Sequence, residues 1–382
     1  MSVTFSLPQG WTETTFGEVV SNVSINEKKL PKGQYSESGK FPVVDQGQQF
    51  IGGYTDDERK VVSEDLPLLV FGDHTRAFKF LNQPFVPGAD GVKVLKPQGV
   101  DPKWLFQMAH VLEFPDKGYA RHFQHLKSAK LFVPPLSEQR RIVAEIEKQF
   151  TRLEAGVAAL RRVQANLKRY RAAILKTACE GDWQRKPLGE LLQNGRSMGY
   201  GVLKPGPHVP DGVRLLKSGQ VRDGTLDLTE DYRISNELDA EFKRTRLQGG
   251  ELLLNLVGAS IGRSAIATAE LKGANVSRAI AVIPVVPERT KWVQIVLSSP
   301  DSQSGILGRR TGIAQPVLNL GQVKQLPIPL PPLAEQRRIV AEVERRLSVV
   351  EELESVVSAN LQRATRLRQS ILQKAFTGEL VS

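Results

Sequence analysis

Pro134-Pro-Leu-Ser-Glu-Gln-Arg-Arg-Ile-Val-Ala-Glu145 returns almost letter for letter as Pro331-Pro-Leu-Ala-Glu-Gln-Arg-Arg-Ile-Val-Ala-Glu342. The offset is 197 residues (331 less 134), and the match runs without a gap from Pro134–Trp183 onto Pro331–Leu380. Identity fades mid-segment and returns at Ile174-Leu175 with Ile371-Leu372, Ala178 with Ala375, and Gly181 with Gly378. A repeat of this length fixes the architecture before any chemistry is considered. The chain holds two equivalent long elements, with different sequence in front of each.

Both elements read as long helices. Ile142, Ile146, Phe150, Leu153, Val157, Leu160, Leu167 and Ile174 mostly recur at three or four residues, as do Val343, Leu347, Val350, Leu353, Val357, Leu361, Leu367 and Ile371. That spacing gives each helix one apolar seam, with charge on the remaining faces. Neither has an internal proline; Pro134-Pro135 and Pro331-Pro332 mark the entries, where proline is tolerated. Ser137 is placed to cap the first helix, but Ala334 holds the matching position in the second. Gly181 and Gly378 are expected as C-terminal stops. A helix of about 40 residues is roughly 60 Å long and needs a partner for its seam. The other copy is that partner in the favoured reading, and the two run antiparallel about a pseudo-twofold axis. The alternative packs each stripe on its own globular domain, which is too small to cover 60 Å.

The stretches in front of the helices look mixed α/β. Short β-type runs occur at Phe41–Val44, Leu68–Phe71, Ala77–Phe80 and Gly91–Leu95, with a helix near Pro102–Leu112. In the second stretch the runs are Val213–Leu216, Glu251–Leu254, Ala265–Ala267 and Arg278–Ile283, with a helix near Thr290–Ser298. The two share an opening, Trp11 then Phe16-Gly-Glu-Val-Val20 against Trp183 then Leu188-Gly-Glu-Leu-Leu192, and then diverge. A shared scaffold with a divergent interior suits two readers of different ligands.

The 382 residues carry a net charge of +11, which favours a polyanionic partner. It is unevenly spread: zero over residues 1–133, +4 over 134–183, +6 over 184–330 and +1 over 331–382. A first domain that binds DNA must therefore use a local patch. No apolar run approaches the roughly 20 residues that span a bilayer, and no signal peptide is read at the N-terminus. The single cysteine, Cys179, allows no internal disulfide, fits a cytoplasmic protein, and reads as a small packed residue near a helix end.

Together these features resemble the specificity subunit of type I restriction-modification systems. The resemblance covers essentially the whole chain. It rests on Pro-Pro-Leu-x-Glu-Gln-Arg-Arg-Ile at 134–142 and 331–339, on the exits Ala178–Gly181 and Ala375–Gly378, and on the Trp-initiated openings. Phe71-Gly-Asp-His-Thr75, Gly118–Pro135, Gly250-Glu-Leu-Leu-Leu254, Gly258-Ala-Ser-Ile-Gly262 and Gln315–Leu320 add to it. It implies an α+β chain of two mixed α/β target recognition domains, separated and joined by two long helices that form an antiparallel coiled-coil spacer with a pseudo-twofold internal repeat. The expected boundaries are 1–133 for recognition domain 1, 134–182 for spacer helix 1, 183–332 for recognition domain 2 and 333–382 for spacer helix 2. Each domain then reads half of a bipartite, asymmetric double-stranded DNA target. The resemblance further implies two copies of a methyltransferase (modification) subunit that methylate adenine at N6, and motor–nuclease restriction subunits. S-adenosylmethionine, ATP and Mg are expected in those partners, with no cofactor and no metal in this chain.

No catalytic constellation is read here. A methyltransferase needs a glycine-rich cofactor loop and an Asn/Asp-Pro-Pro-aromatic motif, an ATPase needs a P-loop, and none occurs. His122 and His125 lack the third and fourth ligands of a closed metal site. DNA contacts are expected from Arg and Lys on phosphates, and from Arg, Asn and Gln on base edges. The candidates in the first domain are Gln46, Gln48, Gln49, His74, Arg76, Lys79, Tyr119, Arg121 and His122. In the second they are Ser197, Tyr200, Lys204, Lys217, Arg222, Ser260, Arg263, Arg278, Arg309, Arg310 and Gln315. Glu138, Gln139, Arg140 and Arg141, repeated as Glu335, Gln336, Arg337 and Arg338, are candidate partner-docking patches. The rival role for that motif is to tie each domain to the start of its helix. Two rival functions fit the same architecture: a scaffold with two ligand-binding domains and no nucleic-acid role, and a specificity subunit of another defence complex without a nuclease.

Overall fold

The computed structural model describes residues 8–115, 118, 120–309 and 317–381. The chain divides into two compact units, one of residues 1–161 with 358–382 and one of residues 162–357. These do not follow the four sequence segments. Each unit takes the first part of one long helix and the last part of the other, because that is how the seams are covered.

In the first unit the strands are β1 (Thr12–Thr15), β2 (Val20–Asn22), β3 (Phe41–Val44), β4 (Gly53–Thr55), β5 (Leu68–Gly72), β6 (Phe78–Leu81), β7 (Val86–Pro87), β8 (Val92–Pro97) and β9 (Lys130–Val133). Helix α1 (Pro102–Ala109) and α2 (Phe123–Lys127) precede the long α3 (Leu136–Ala178). Three sheets result, ordered β2-β8-β5-β6, β4-β3-β7 and β1-β9. Helix α1 starts where sequence chemistry asks it to. Asp101 accepts from the amides of Lys103 and Trp104, both at 3.0 Å, and Pro102 fills the first turn.

The second unit holds β10 (Arg185–Pro187), β11 (Gly199–Tyr200), β12 (Val213–Leu216), β13 (Arg233–Ile234), α4 (Asn236–Glu241), β14 (Leu252–Asn255), β15 (Ser264–Ile266), β16 (Asn275–Val276) and β17 (Ile280–Ile283). It continues through α5 (Thr290–Ser298), α6 (Pro300–Arg309), α7 (Leu320–Lys324), β18 (Pro327–Pro329) and the start of α8 (Leu333–Phe376). Its sheets run β11-β17-β14-β15, β13-β12-β16 and β10-β18. Strand for strand this is the topology of the first unit. The parallel pair β3–β7 is matched by β12–β16, and the opening–exit pair β1–β9 by β10–β18. Two interiors with little common sequence therefore share one fold, the second adding α4 and α6.

The seams are buried in part inside each unit, most continuously towards the helix ends, while Leu353 and Leu367, read into the stripe, are exposed. In the first, Ile142, Val143, Ile146 and Phe150 of α3 share one core with Ile371, Leu372 and Ala375 of α8, and with Phe71, Trp104, Met108 and Leu131. Trp11 donates to Glu138 at 3.1 Å, and the indole lies where a side chain on Gly378 would stand. One turn after another along α3, Glu154 meets Arg368 at 3.3 Å and the Arg368 guanidinium sits 4.2 Å over Phe150. The partners fall in number on α8 as they rise on α3, so the segments are antiparallel. In the second unit Arg171 reaches Glu351 at 3.5 Å and Glu354 at 3.9 Å, and a groove lies between Ile174 and Ala178 on one side and Ile339 and Glu342 on the other. Arg171 is the repeat counterpart of Arg368, and Glu351 of Glu154. Each recognition domain also leans on its own helix through another repeated pair, Lys103–Glu147 at 2.7 Å and Lys291–Glu344 at 2.6 Å. The two packing alternatives read from sequence thus operate together. These ion pairs are exposed or half-buried and contribute little energy; they mark the register that the buried seam sets.

Two sequence expectations at the helix ends need correction. Ser137 is no cap: α3 starts at Leu136, and the amides of Glu138 and Gln139 bond the carbonyl of Pro135. Gly378 ends its helix in the left-handed conformation at φ 80°, with Glu379 N bonding Lys374 O, whereas Gly181 stays outside that region. The chain at Gly181 turns directly under the Trp183 ring instead.

Ile142 is completely buried. Ile142→Ala is expected to cost about 2–5 kcal/mol in urea unfolding, from lost transfer energy and the cavity left behind. Cys179 is mostly buried beside Ser299, and burial pushes its thiol up to about 11. A raised pKa means less thiolate at pH 8. Alkylation of the folded protein is therefore expected to run at least about tenfold slower than in urea, the gap narrowing towards pH 11.

Candidate nucleic-acid interface

In the first unit four loops meet at one edge of the paired sheets. The β5–β6 turn is built on Gly72 and Asp73. A side chain on Gly72 would stand 2.7 Å from Gln46 O. Asp73 N donates to Gly91 O at 2.7 Å, Asp73 O accepts from His122 N at 2.9 Å, and its carboxylate accepts from Phe123 N at 2.8 Å. The motif Phe71–Thr75 is thus a clamp joining the loops at 45–52, 88–91 and 118–123. Gln48 donates to Thr75 O at 3.2 Å, His74 Nδ1 lies 3.1 Å from Ala120 O, and Gln46 Oε1 accepts from His74 N at 3.4 Å.

The same edge forms in the second unit. Asn255 donates to Ser218 O at 2.9 Å, Leu256 N bonds Ala279 O, and Leu318 N bonds Leu256 O. The Gly258–Gly262 motif occupies the place of the Gly72–Ala77 turn, between β14 and β15. Glu251, of the Gly250–Leu254 motif, is buried and accepts from Arg196 at 2.7 Å and from the amides of Gln248 and Gly249, both at 2.9 Å.

A set of three backbone hydrogen bonds aligns the two edges residue by residue. In the first unit Leu30 N bonds Pro87 O, Gly88 N bonds Val44 O, and Ala89 N bonds Leu30 O. In the second, Val202 N bonds Val276 O, Ser277 N bonds Leu216 O, and Arg278 N bonds Val202 O. Ala89 therefore corresponds to Arg278, and Asp45, after Val44, to Lys217, after Leu216. Equal backbone positions carry unlike chemistry.

Most sequence candidates fall at these edges. Gln48, Gln49 and Arg121 are exposed in the first unit, and Gln46 and His74 are half-buried in the clamp. Arg76, at φ 60°, lays its guanidinium 4.4 Å over Phe114. Lys204, Arg222 and Arg278 are exposed in the second unit, with Lys217, Ser260 and Arg263 half-buried beside them. Lys217 lies 2.5 Å from Glu230 and 3.7 Å over the Tyr232 ring; Arg222 and Arg263 face Asp227 and Asp223 at 3.1 and 3.8 Å. Tyr200 is exposed on β11, two residues before Val202, and Ser197 accepts from Arg244 at 3.1 Å. Tyr119, Arg310 and Gln315 lie outside the described residues, as does the Arg309 side chain.

Lys79 and His122 are corrections, because both are buried. Lys79 donates to Asp45 O at 2.7 Å; burial lowers its pKa, opposed by the Asp45 carboxylate. The strand period carried the signal, since Lys79 shares parity with the buried Leu81. His122 Nε2 is held 3.0 Å from Gly118 O. Phe50 was missed, in the β3–β4 loop and 48% exposed, because only polar side chains had been considered.

On the helices the repeated motif splits into two jobs. Gln139 and Gln336 are buried, each donating to the first proline carbonyl of its own motif at 2.8 Å, and Gln139 also accepts from Asp101 N at 2.7 Å. They are corrections to the docking set. Their place three residues before Ile142 and Ile339, on the seam face, announces it. Glu138 and Glu335 are half-buried, while Arg140, Arg141, Arg337 and Arg338 are exposed. Two equivalent apolar pairs are exposed: Leu136 with Leu333, 47% and 37%, and Tyr170 with Leu367, both 51%; Leu367 is a correction, since it was read into the buried stripe. Among the described residues no group of three or more His, Cys, Asp or Glu is placed to hold a metal ion, and no helix is long and apolar enough to cross a membrane.

The profile of the type I restriction modification DNA specificity domain matches residues 180–348. Over 287 residues the chain is 31% identical to the EcoBI type I restriction enzyme specificity subunit of Escherichia coli, covering 67% of this chain and 60% of that one. It is 28% identical over 276 residues to the EcoKI specificity subunit of Escherichia coli strain K12, covering 65% and 57%. The chain spans less than two thirds of the length of these relatives. A solved chain from the structural basis of complex assembly and conformational transition of the type I R-M system superimposes with a TM-score of 0.75 at 19% identity, over 98% of this chain and 100% of that one. The HsdS subunit from Thermoanaerobacter tengcongensis follows at 0.53 and 19%, over 99% of each. At such identity these two establish the fold. With a duplicated scaffold, a repeated helix entry and relatives that are specificity subunits, the chain belongs to the specificity-subunit family of type I restriction-modification systems.

Proposed function

We propose that this chain is the DNA sequence-specificity subunit of a cytoplasmic type I restriction-modification complex. Each unit reads one half of a bipartite, asymmetric duplex target. The long helices set the gap between the halves and dock two methyltransferase subunits. The chain is not itself an enzyme. Adenine-N6 methylation with S-adenosylmethionine, and ATP- and Mg-dependent cleavage, belong to the modification and motor–nuclease subunits.

The observation that carries this reading is the pair of matched edges with unmatched side chains. Reading a base pair in the major groove needs a particular donor and acceptor pattern, so two half-sites need different groups on one scaffold. Asp45 and Ala89 in one unit, against Lys217 and Arg278 in the other, fit that demand. The +6 of residues 184–330 supplies phosphate attraction, which releases counterions and falls with salt. Leu136 and Leu333, with the arginines beside them, offer equal patches, and equal patches favour two copies of one partner.

Co-expression with the methyltransferase subunit, followed by genome-wide mapping of modified bases, tests the whole reading. The expected result is one motif of two unlike halves around a fixed unread gap; modification without such a motif overturns it. Arg278→Ala is expected to relax one half only, costing about 1–3 kcal/mol on the cognate duplex. One helical turn inserted after both Leu160 and Val357 is expected to change the gap and leave both halves intact, read by the same mapping.

A further inference from the structure

We infer that Phe50 is a specificity residue of the first unit and reads a thymine through its 5-methyl group in the major groove. The inference rests on the DNA-reading role proposed above. Phe50 sits in the β3–β4 loop, among Gly47, Gln48, Gln49 and Gly52, with nearly half of its surface in water. The loop holding it is well braced. Gly47 N donates to the Asp45 carboxylate at 2.9 Å, Gly52 N to Val43 O at 2.8 Å, and Gln48 is tied to the β5–β6 turn. The loop is held by its backbone and polar contacts, and the exposed half of the ring is left for a partner.

Duplex DNA offers one apolar group on its major-groove edge, the thymine 5-methyl, and Phe is one of the side chains suited to it. The neighbouring amides point the same way. Gln48 and Gln49 are the side-chain type that pairs with adenine, and the methyl belongs to adenine's partner base or to the next step. Phe50 supplies the apolar half of an A·T reading, and the glutamines the polar half.

The test uses the full chain in complex with its methyltransferase subunit, on duplexes of the mapped motif in which each thymine is replaced singly by uracil, which lacks only the methyl. Burial of one methyl group predicts that one replacement weakens wild-type binding about fourfold. Phe50→Ala should weaken binding to the thymine duplex by at least as much and be indifferent to that same replacement; Phe50→Leu should recover part of the discrimination. Uracil without effect at every thymine of the wild-type target overturns the inference, whatever the variants do. So does an equal uracil effect in wild type and Phe50→Ala. Because Phe50 is exposed, Phe50→Ala should leave the melting temperature and the other half-site unchanged. Absence of any bipartite motif would instead remove the function proposed above, so the two failures are distinct.

Discussion

Covering the apolar seam of two long helices is the constraint on which the molecule depends. Neither seam can be buried by its own domain alone, and each is shared between the domain before it and the far end of the other helix. Ile142 and Ile146 meet Ile371 and Ala375 in one core, together with Trp104 and Leu131 of the recognition domain. The helix pair and the domain are thus one folding unit rather than a rod with attachments. Phe71, which leads into the loop edge, packs in the same core as the helix entry.

Duplication then supplies the rest. The same ion pairs recur at matched positions, the same glutamine ties each proline entry, and the same strand order builds each recognition domain. Sequence diverges through both interiors while the strand order is kept, and the second unit adds α4 and α6. One such addition has a structural effect: Asp239 of α4 is buried and bonded by Asn275 at 2.9 Å, so the helix is part of that unit's core.

Much of this was legible in the sequence because helical and strand periods are strong signals. The repeat placed both helix starts to within two residues, although the expected ends at 182 and 382 overrun Ala178 and Phe376; Val213–Leu216 and Thr290–Ser298 were read at their observed limits. The shared openings let the two domains be read as one scaffold, but the residue-by-residue match of their edges was not legible. It is written in backbone hydrogen bonds, and Leu30 and Val202 make theirs without any side-chain signature. The site was half legible for a similar reason. Residue type suggested Lys79, His122, Gln139 and Gln336, but the direction of each side chain sends it inward, and type alone cannot express direction.

The backbone bonds that align the two edges ask nothing of the side chains at 89 and 278. Such positions are free to drift: an exchange there alters what the surface prefers while the fold barely registers it, since substitutions away from caps, cores and buried networks change stability little. A scaffold of this kind is evolvable in a specific sense. New preferences can arise one loop at a time, in one half of the molecule, without the other half having to change with it.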